Sequence, residues 1–125
     1  MTLDRGTLIL VTHCREGNST HPLFADYLGK TPDQLLDALD AGNAEDPVAC
    51  ALAVPISRVR ERIKICMVSS GLSASDVKRI GFTYYKTIGE AIAAELRSCG
   101  DEPRVGVLTH GGVILPLISD QQLAA

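Results

Sequence analysis

The residues able to do chemistry fall into three short clusters, each following an apolar run. The first is Thr12-His13-Cys14-Arg15-Glu16-Gly17, the second Ser69-Ser70-Gly71, and the third Thr109-His110-Gly111-Gly112. Two of the three histidines lie in these clusters. His13, Cys14 and His110 carry donors that suit zinc or nickel, since imidazole and thiolate bind both. No two of them have the spacing of a metal-ligand pair, so the simpler reading has each imidazole bonding backbone at a strand end. Cys14 with a histidine is also a nucleophile and base in outline. Adjacent strand residues point to opposite faces, which makes His110 a better partner for Cys14 than His13. Arg15 would favour the thiolate if it were close. The competing reading, a buried structural thiol, is preferred. Ser69-Ser70-Gly71 and Gly111-Gly112 resemble backbone nests for an anion or carboxylate, with Arg15 to hand. Pairing of Arg15 and Glu16 within their own loop is the simpler role. The candidate ligand rim is therefore Thr12, His13, Cys14, Arg15, Ser69, Ser70, Thr109, His110, Gly111 and Gly112. The remaining histidine, in His21-Pro22, reads as a helix entrance and nothing more.

These clusters can meet only if the runs before them are neighbouring parallel strands. Leu8 to Val11, Ile63 to Val68 and Val105 to Leu108 are apolar runs, interrupted only by Lys64, and none alternates cleanly with polar residues, as suits strands covered on both faces. Helical segments lie between them. Thr31-Pro32-Asp33-Gln34 gives a capping hydroxyl, a first-turn proline and a glutamine at the third position. Ser73-Ala74-Ser75-Asp76 is similar, and Thr87-Ile88-Gly89-Glu90 reads as a full capping box. Leu35, Leu36 and Leu39 make one apolar stripe, and Ile88, Ala91, Ile92 and Leu96 another. A short helix is expected from about His21 to Leu28. Asp46-Pro47 opens a helix through Ala53, which Pro55 should end or kink. Arg58 to Arg62 then reads as a solvated basic turn. Phe82 to Tyr84 suits a short edge strand, beside which one of Tyr84 and Tyr85 faces outward. Ser119 to Ala125 reads as a frayed tail.

Strands alternating with helices imply right-handed parallel crossovers. The fold expected is one α/β domain over residues 1–125, with a three-layer, mostly parallel Rossmann-like sheet and helices on both faces. Ligands of such sheets bind beyond the carboxyl ends of the strands, where the three clusters would form one rim.

The bulk composition limits the partners. A chain of 125 residues has room for one core. With 4% aromatic residues and no tryptophan, that core must be aliphatic. A net charge of −3 gives no basic footprint for nucleic acid or an anionic membrane. No apolar run is long enough to span a bilayer, and no basic segment followed by an apolar stretch marks a secretory signal. A cytoplasmic protein with free thiols at Cys14, Cys50, Cys66 and Cys99 is the expectation.

Several segments together resemble the C-terminal domain of the nickel-dependent lactate racemase family. They are Cys14-Arg15-Glu16-Gly17 with Phe24-Ala25-Asp26-Tyr27-Leu28, then Val68-Ser69-Ser70-Gly71-Leu72 with Asp76-Val77 and Gly81-Phe82. The helix from Thr87 to Leu96 and the closing His110-Gly111-Gly112-Val113-Ile114-Leu115-Pro116 complete the set, in order along nearly the whole chain. The resemblance implies a Rossmann-like lobe that closes the cleft of a larger protein. That family's N-terminal domain carries a nickel-pincer nucleotide and two acid–base histidines, which interconvert 2-hydroxy acid enantiomers by hydride transfer. No residue of this chain matches a catalytic or nickel-binding position. The chain alone is therefore expected to bind no cofactor and to be inactive. Its implied partner is the catalytic N-terminal domain, with a homo-oligomer as a further possibility. Two other readings stand beside this one. One is a free-standing small-anion binder using the rim, and the other a minimal enzyme built on Cys14 and His110.

Overall fold

A computed structural model describes residues 5–17, 21–100 and 102–113. Its elements in chain order are β1 (Thr7–Thr12), α1 (Phe24–Leu28), α2 (Pro32–Asp40), α3 (Pro47–Arg62), β2 (Lys64–Ser69), α4 (Ala74–Arg79), β3 (Thr83–Tyr85) and α5 (Ile88–Ser98). The three strands form one parallel sheet in the order β1-β2-β3. β1 and β2 are aligned from Thr7 opposite Lys64 to Thr12 opposite Ser69, so their carboxyl ends finish level.

Strand alternation sorts the side chains into two layers. Leu8, Leu10, Ile65 and Met67 face α1 and α3 and line a hollow with Phe24, Ile56 and Val59. Thr7, Lys64 and Tyr85 face the other way and meet α5 through Glu95. The molecule is thus a Rossmann-like α/β sandwich with helices on both faces of the sheet, as its sequence implied.

Local chemistry sets most helix starts. Thr31 and Ser73 each accept a hydrogen bond from the backbone N–H three residues on, and the side chains of Gln34 and Asp76 return the bond. Thr87 makes only half of its expected box. Its hydroxyl accepts from Glu90 N–H, while the Glu90 carboxylate takes the N–H of Lys86.

Four expectations need correction. First, α3 runs through Pro55 to Arg62. Its buried ridge of Ala49, Cys50, Ala53 and Ser57 is small enough to pack closely on α1 and α2. That packing outweighs the one backbone bond that proline forfeits. Second, the basic segment before β2 is the last stretch of α3 and not a turn; Arg58, Glu61 and Arg62 are exposed as expected, but Arg60 faces inward. Arg60 donates to the carbonyls of Leu28, Gly29 and Lys30 at the end of α1, and to Ile80 at the end of α4. One guanidinium thereby satisfies the orphan carbonyls of two helix C-termini. Gly81 leaves the room, because a Cβ there would lie 2.2 Å from the Arg60 guanidinium.

Third, Val105 to Leu108 is not a strand of this sheet. The segment has no regular structure, and Val105 and Val107 are 65% and 79% exposed. The third strand is instead Thr83–Tyr85, overlapping the short edge piece expected at Phe82 to Tyr84. An apolar run signals a capacity for burial, but a strand exists only once its N–H and C=O groups meet a neighbour's, and here this segment stands away from the sheet. Fourth, α5 departs from its expected stripe. It buries Ala91 and Glu95 and leaves Ile88, Ile92 and Leu96 exposed. The tail from Ser119 to Ala125 and the closing Ile114-Leu115-Pro116 lie outside the described residues.

Candidate functional site at the strand ends

The level ends of β1 and β2 bring two of the three polar clusters together. His13 Nδ1 lies 2.7 Å from Ser70 Oγ, and Ser69 Oγ donates to the His13 carbonyl at 3.3 Å. Gly71 lets the two loops touch. A Cβ there would come within 2.1 Å of the Cys14 carbonyl oxygen and 2.4 Å of that of His13, so only glycine fits without displacing backbone. Cys14 itself has φ of 44°, in the left-handed region that non-glycine residues seldom occupy. Its carbonyl accepts from Gly17 N–H at 3.0 Å, closing a tight turn straight after the strand.

His13 and Cys14 face apart here, as adjacent residues of a strand do. His13 lines an open groove of about 510 Å³ with Val11, Thr12, Ser69, Ser70, Tyr84 and Lys86. Cys14 instead lines the apolar hollow on the α1 and α3 side, its thiol 3.7 Å from Thr12 Oγ1. Arg15 and Glu16 are exposed on the turn. The Gly71 N–H donates to Ser69 Oγ at 3.2 Å, so part of the expected anion nest is filled by its own side chain.

Thr109, His110, Gly111 and Gly112 are exposed and do not join this rim, because the strand meant to carry them does not form. The bonds of the His110 ring and carbonyl are local, to Thr109 Oγ1 and from Val113 N–H. The Cys14–His110 pair is therefore not assembled. Among the described residues no three of His, Cys, Asp and Glu converge to hold a metal ion. His13 with Ser70 has the spacing of a base and nucleophile, but among the described residues no carboxylate bonds the imidazole to orient it. The rim is better equipped to bind than to transform. It offers hydroxyls from Thr12, Ser69 and Ser70, an imidazole, and the ammonium of Lys86.

Two features were missed in the sequence. Lys86 follows β3, and treating Phe82 to Tyr84 as a rim strand would have found it. Glu95 is the buried acid of the α5 layer, 4% exposed. It accepts from Lys64 Nζ at 2.7 Å, Tyr85 Oη at 2.7 Å and Thr7 Oγ1 at 3.1 Å. Burial pushes its carboxyl up, but the three donors outweigh this and hold it below the ordinary 4.5. Burial pushes the Cys66 thiol up to about 11, with the neighbouring Glu95 adding to the shift. His21 also does more than open a helix. Its Nδ1 pairs at 2.8 Å with Asp46, the N-cap of α3. Asp46 is held below its usual range first by the Ala49 N–H and then by His21.

The chain's fold has a solved counterpart in the lactate racemase apoprotein from Thermoanaerobacterium thermosaccharolyticum, with a TM-score of 0.62 at 22% identity. The match covers 78% of this chain and 24% of that one, so this chain spans about a quarter of its length. No family model and no curated protein sequence matches the chain.

Proposed function

We propose that this chain is one lobe of a racemase-like protein, and that its strand-end rim faces the cleft shared with a larger, catalytic lobe. The observation that carries the reading is the domain-sized likeness to a lactate racemase apoprotein, most of this chain against a quarter of that one. The ordered motifs of the family's C-terminal domain support it. So does a stripe on α3, where Val48, Leu52 and Val59 stand exposed along one side of the helix. An apolar stripe of this kind suits contact with another domain.

In this reading the lobe contributes binding and closure. The hydroxyls of Thr12, Ser69 and Ser70 and the cation of Lys86 would meet the polar part of a 2-hydroxy acid or of the cofactor's phosphate. A nickel-pincer nucleotide would be held elsewhere, since the described residues offer no donor set for the metal. No step of the reaction is assigned to this chain's residues. The test is to co-express the chain with the larger lobe encoded in its source genome. A stable one-to-one complex that racemises lactate or a related 2-hydroxy acid is expected. Failure to associate at high micromolar concentration would overturn the reading.

A second reading is favoured by the groove itself. Lys86, His13 and three hydroxyls around one opening would suit a free-standing binder of small anions. A thermal-shift screen with lactate, other 2-hydroxy acids and inorganic phosphate separates the two. Stabilisation of the isolated chain by one of these supports it, and no stabilisation by any of them removes it.

A further inference from the structure

We propose that Val105–Leu108, unpaired and exposed in this structure, docks as a fourth strand parallel to the free edge of β1, and that this docking closes the ligand rim between Thr12-His13 and Thr109-His110. Four independent observations converge on this.

The first is an open edge. Among the described residues nothing pairs with β1 on the side away from β2. Lys64 N–H donates to the Gly6 carbonyl. In a parallel ladder the partners alternate, so Gly6, Leu8 and Leu10 serve β2 while Thr7, Ile9 and Val11 present N–H and C=O outward. An unpaired edge of this length invites another strand.

The second is the path of α5. It leaves β3, crosses the face opposite α1 and α3, and touches all three strands. Near its end, Glu95 bonds Thr7 at the start of β1. The chain therefore arrives beside the amino end of β1, where a parallel strand must begin. Residues 99–104 separate α5 from Val105, a usual length for a helix-to-strand connection. A crossover from β3 to the outer side of β1 over that face has the right-handed sense that parallel connections follow.

The third is uncovered apolar surface. Val11 is 60% exposed, and α5 leaves Ile88, Ile92 and Leu96 in solvent on its outer side. On the other face, Leu8 and Leu10 border a hollow that is open to solvent. Val105, Val107 and Leu108 are themselves exposed.

The fourth is the likeness between the two segments. Leu8-Ile9-Leu10-Val11-Thr12-His13 and Val105-Gly106-Val107-Leu108-Thr109-His110 both run four residues before a Thr-His pair. Aligning the pairs sets Val11 beside Leu108 and Leu10 beside Val107. Strand alternation then places Leu108 on the α5 side, and Val105 and Val107 on the side of the hollow.

The functional consequence is positional. With the order β4-β1-β2-β3, where β4 is Val105–Leu108, successive strands run outward in both directions from the β1–β4 junction. The carboxyl ends at such a reversal form the crevice where ligands of open parallel sheets bind. Docking would bring His110 and the Gly111-Gly112 backbone next to His13, adding to the rim the third cluster that it lacks.

The test uses the full chain with Cys14 and Cys99 replaced by serine. Val11→Cys and Leu108→Cys are introduced together at two exposed positions. Neighbouring parallel strands bring Cα atoms within disulfide range. Under mild oxidant, an intramolecular 11–108 disulfide is expected by peptide mapping. The cysteine-free edge is read separately by hydrogen exchange of the parent chain. The amides of Ile9 and Val11 should be protected at least ~100-fold relative to the unfolded chain, and Val107→Pro should abolish that protection while β2 keeps its own. Free exchange at both amides would overturn the proposal. So would an 11–108 disulfide that forms only between copies, since the edge would then be paired by a second molecule.

Discussion

Replacing Glu95 by alanine tests how far one buried carboxylate ties α5 to the sheet. Tyr85 and Thr7 each donate to it, and a hydrogen bond to a charged acceptor contributes about 1.5 kcal/mol. The Lys64 side chain is 46% exposed, so its ion pair adds only about 0.5 kcal/mol. The substitution also removes a desolvated charge, which offsets part of the loss. A net destabilisation of about 2–3 kcal/mol follows, or a fall in Tm of roughly 10 °C for a domain of this size. Urea unfolding at pH 7, followed by circular dichroism, measures it. The pH dependence gives an independent check. The folded-state carboxyl lies below its ordinary value of 4.5, so the folded state binds the proton less readily than the unfolded chain. The stabilisation is fully present above that value and is lost as the pH falls through the lower folded value. Glu95→Gln should flatten this part of the acid limb. An alanine variant within about 0.5 kcal/mol of the parent, or an unchanged acid limb in the glutamine variant, would refute the reasoning.

Arg60→Ala should cost about 2–3 kcal/mol in the same unfolding assay, because several helix-end carbonyls lose their donor, and Arg60→Lys should recover only part of it. Gly71→Ala should destabilise by about 1–3 kcal/mol and perturb the amide resonances of His13 and Cys14, whose carbonyls its Cβ would strike. In a thiol-reagent titration at neutral pH, exposed Cys99 should react first and half-buried Cys14 more slowly. Cys50 and Cys66 should react only on unfolding, since both are fully buried and burial pushes both thiols up.

The parts of the fold that were legible rest on short-range signals. Leu8 to Val11 and the run into Val68 read as neighbouring parallel strands because neither alternates cleanly with polar residues, and they pair in register, although Val11 stays exposed. The hydroxyls of Thr31 and Ser73 marked helix starts because a cap needs only the next three residues. Where the outcome depends on distant partners, the sequence was silent or misleading. Glu95 reads as one more polar position on an amphipathic helix, and its donors lie from 10 to 88 residues away. Pro55 reads as a helix stop because nothing local reveals the small-residue ridge that holds α3 together. The rim divides in the same way. Thr12, His13, Ser69 and Ser70 meet because two legible strands end level. Cys14 was assigned to that rim but lines the apolar hollow with Leu8 and Leu10, the face that strand alternation alone would give it.

The most direct test of the lobe reading is a hydrogen-exchange footprint of the chain alone and in complex with the larger lobe. Added protection should fall on residues 11–15, 69–71 and 84–86 around the carboxyl ends of the strands. Protection confined to the opposite end, around Thr7, Lys64 and Glu95, would contradict the account, because the cleft would then lie on the wrong side of the sheet.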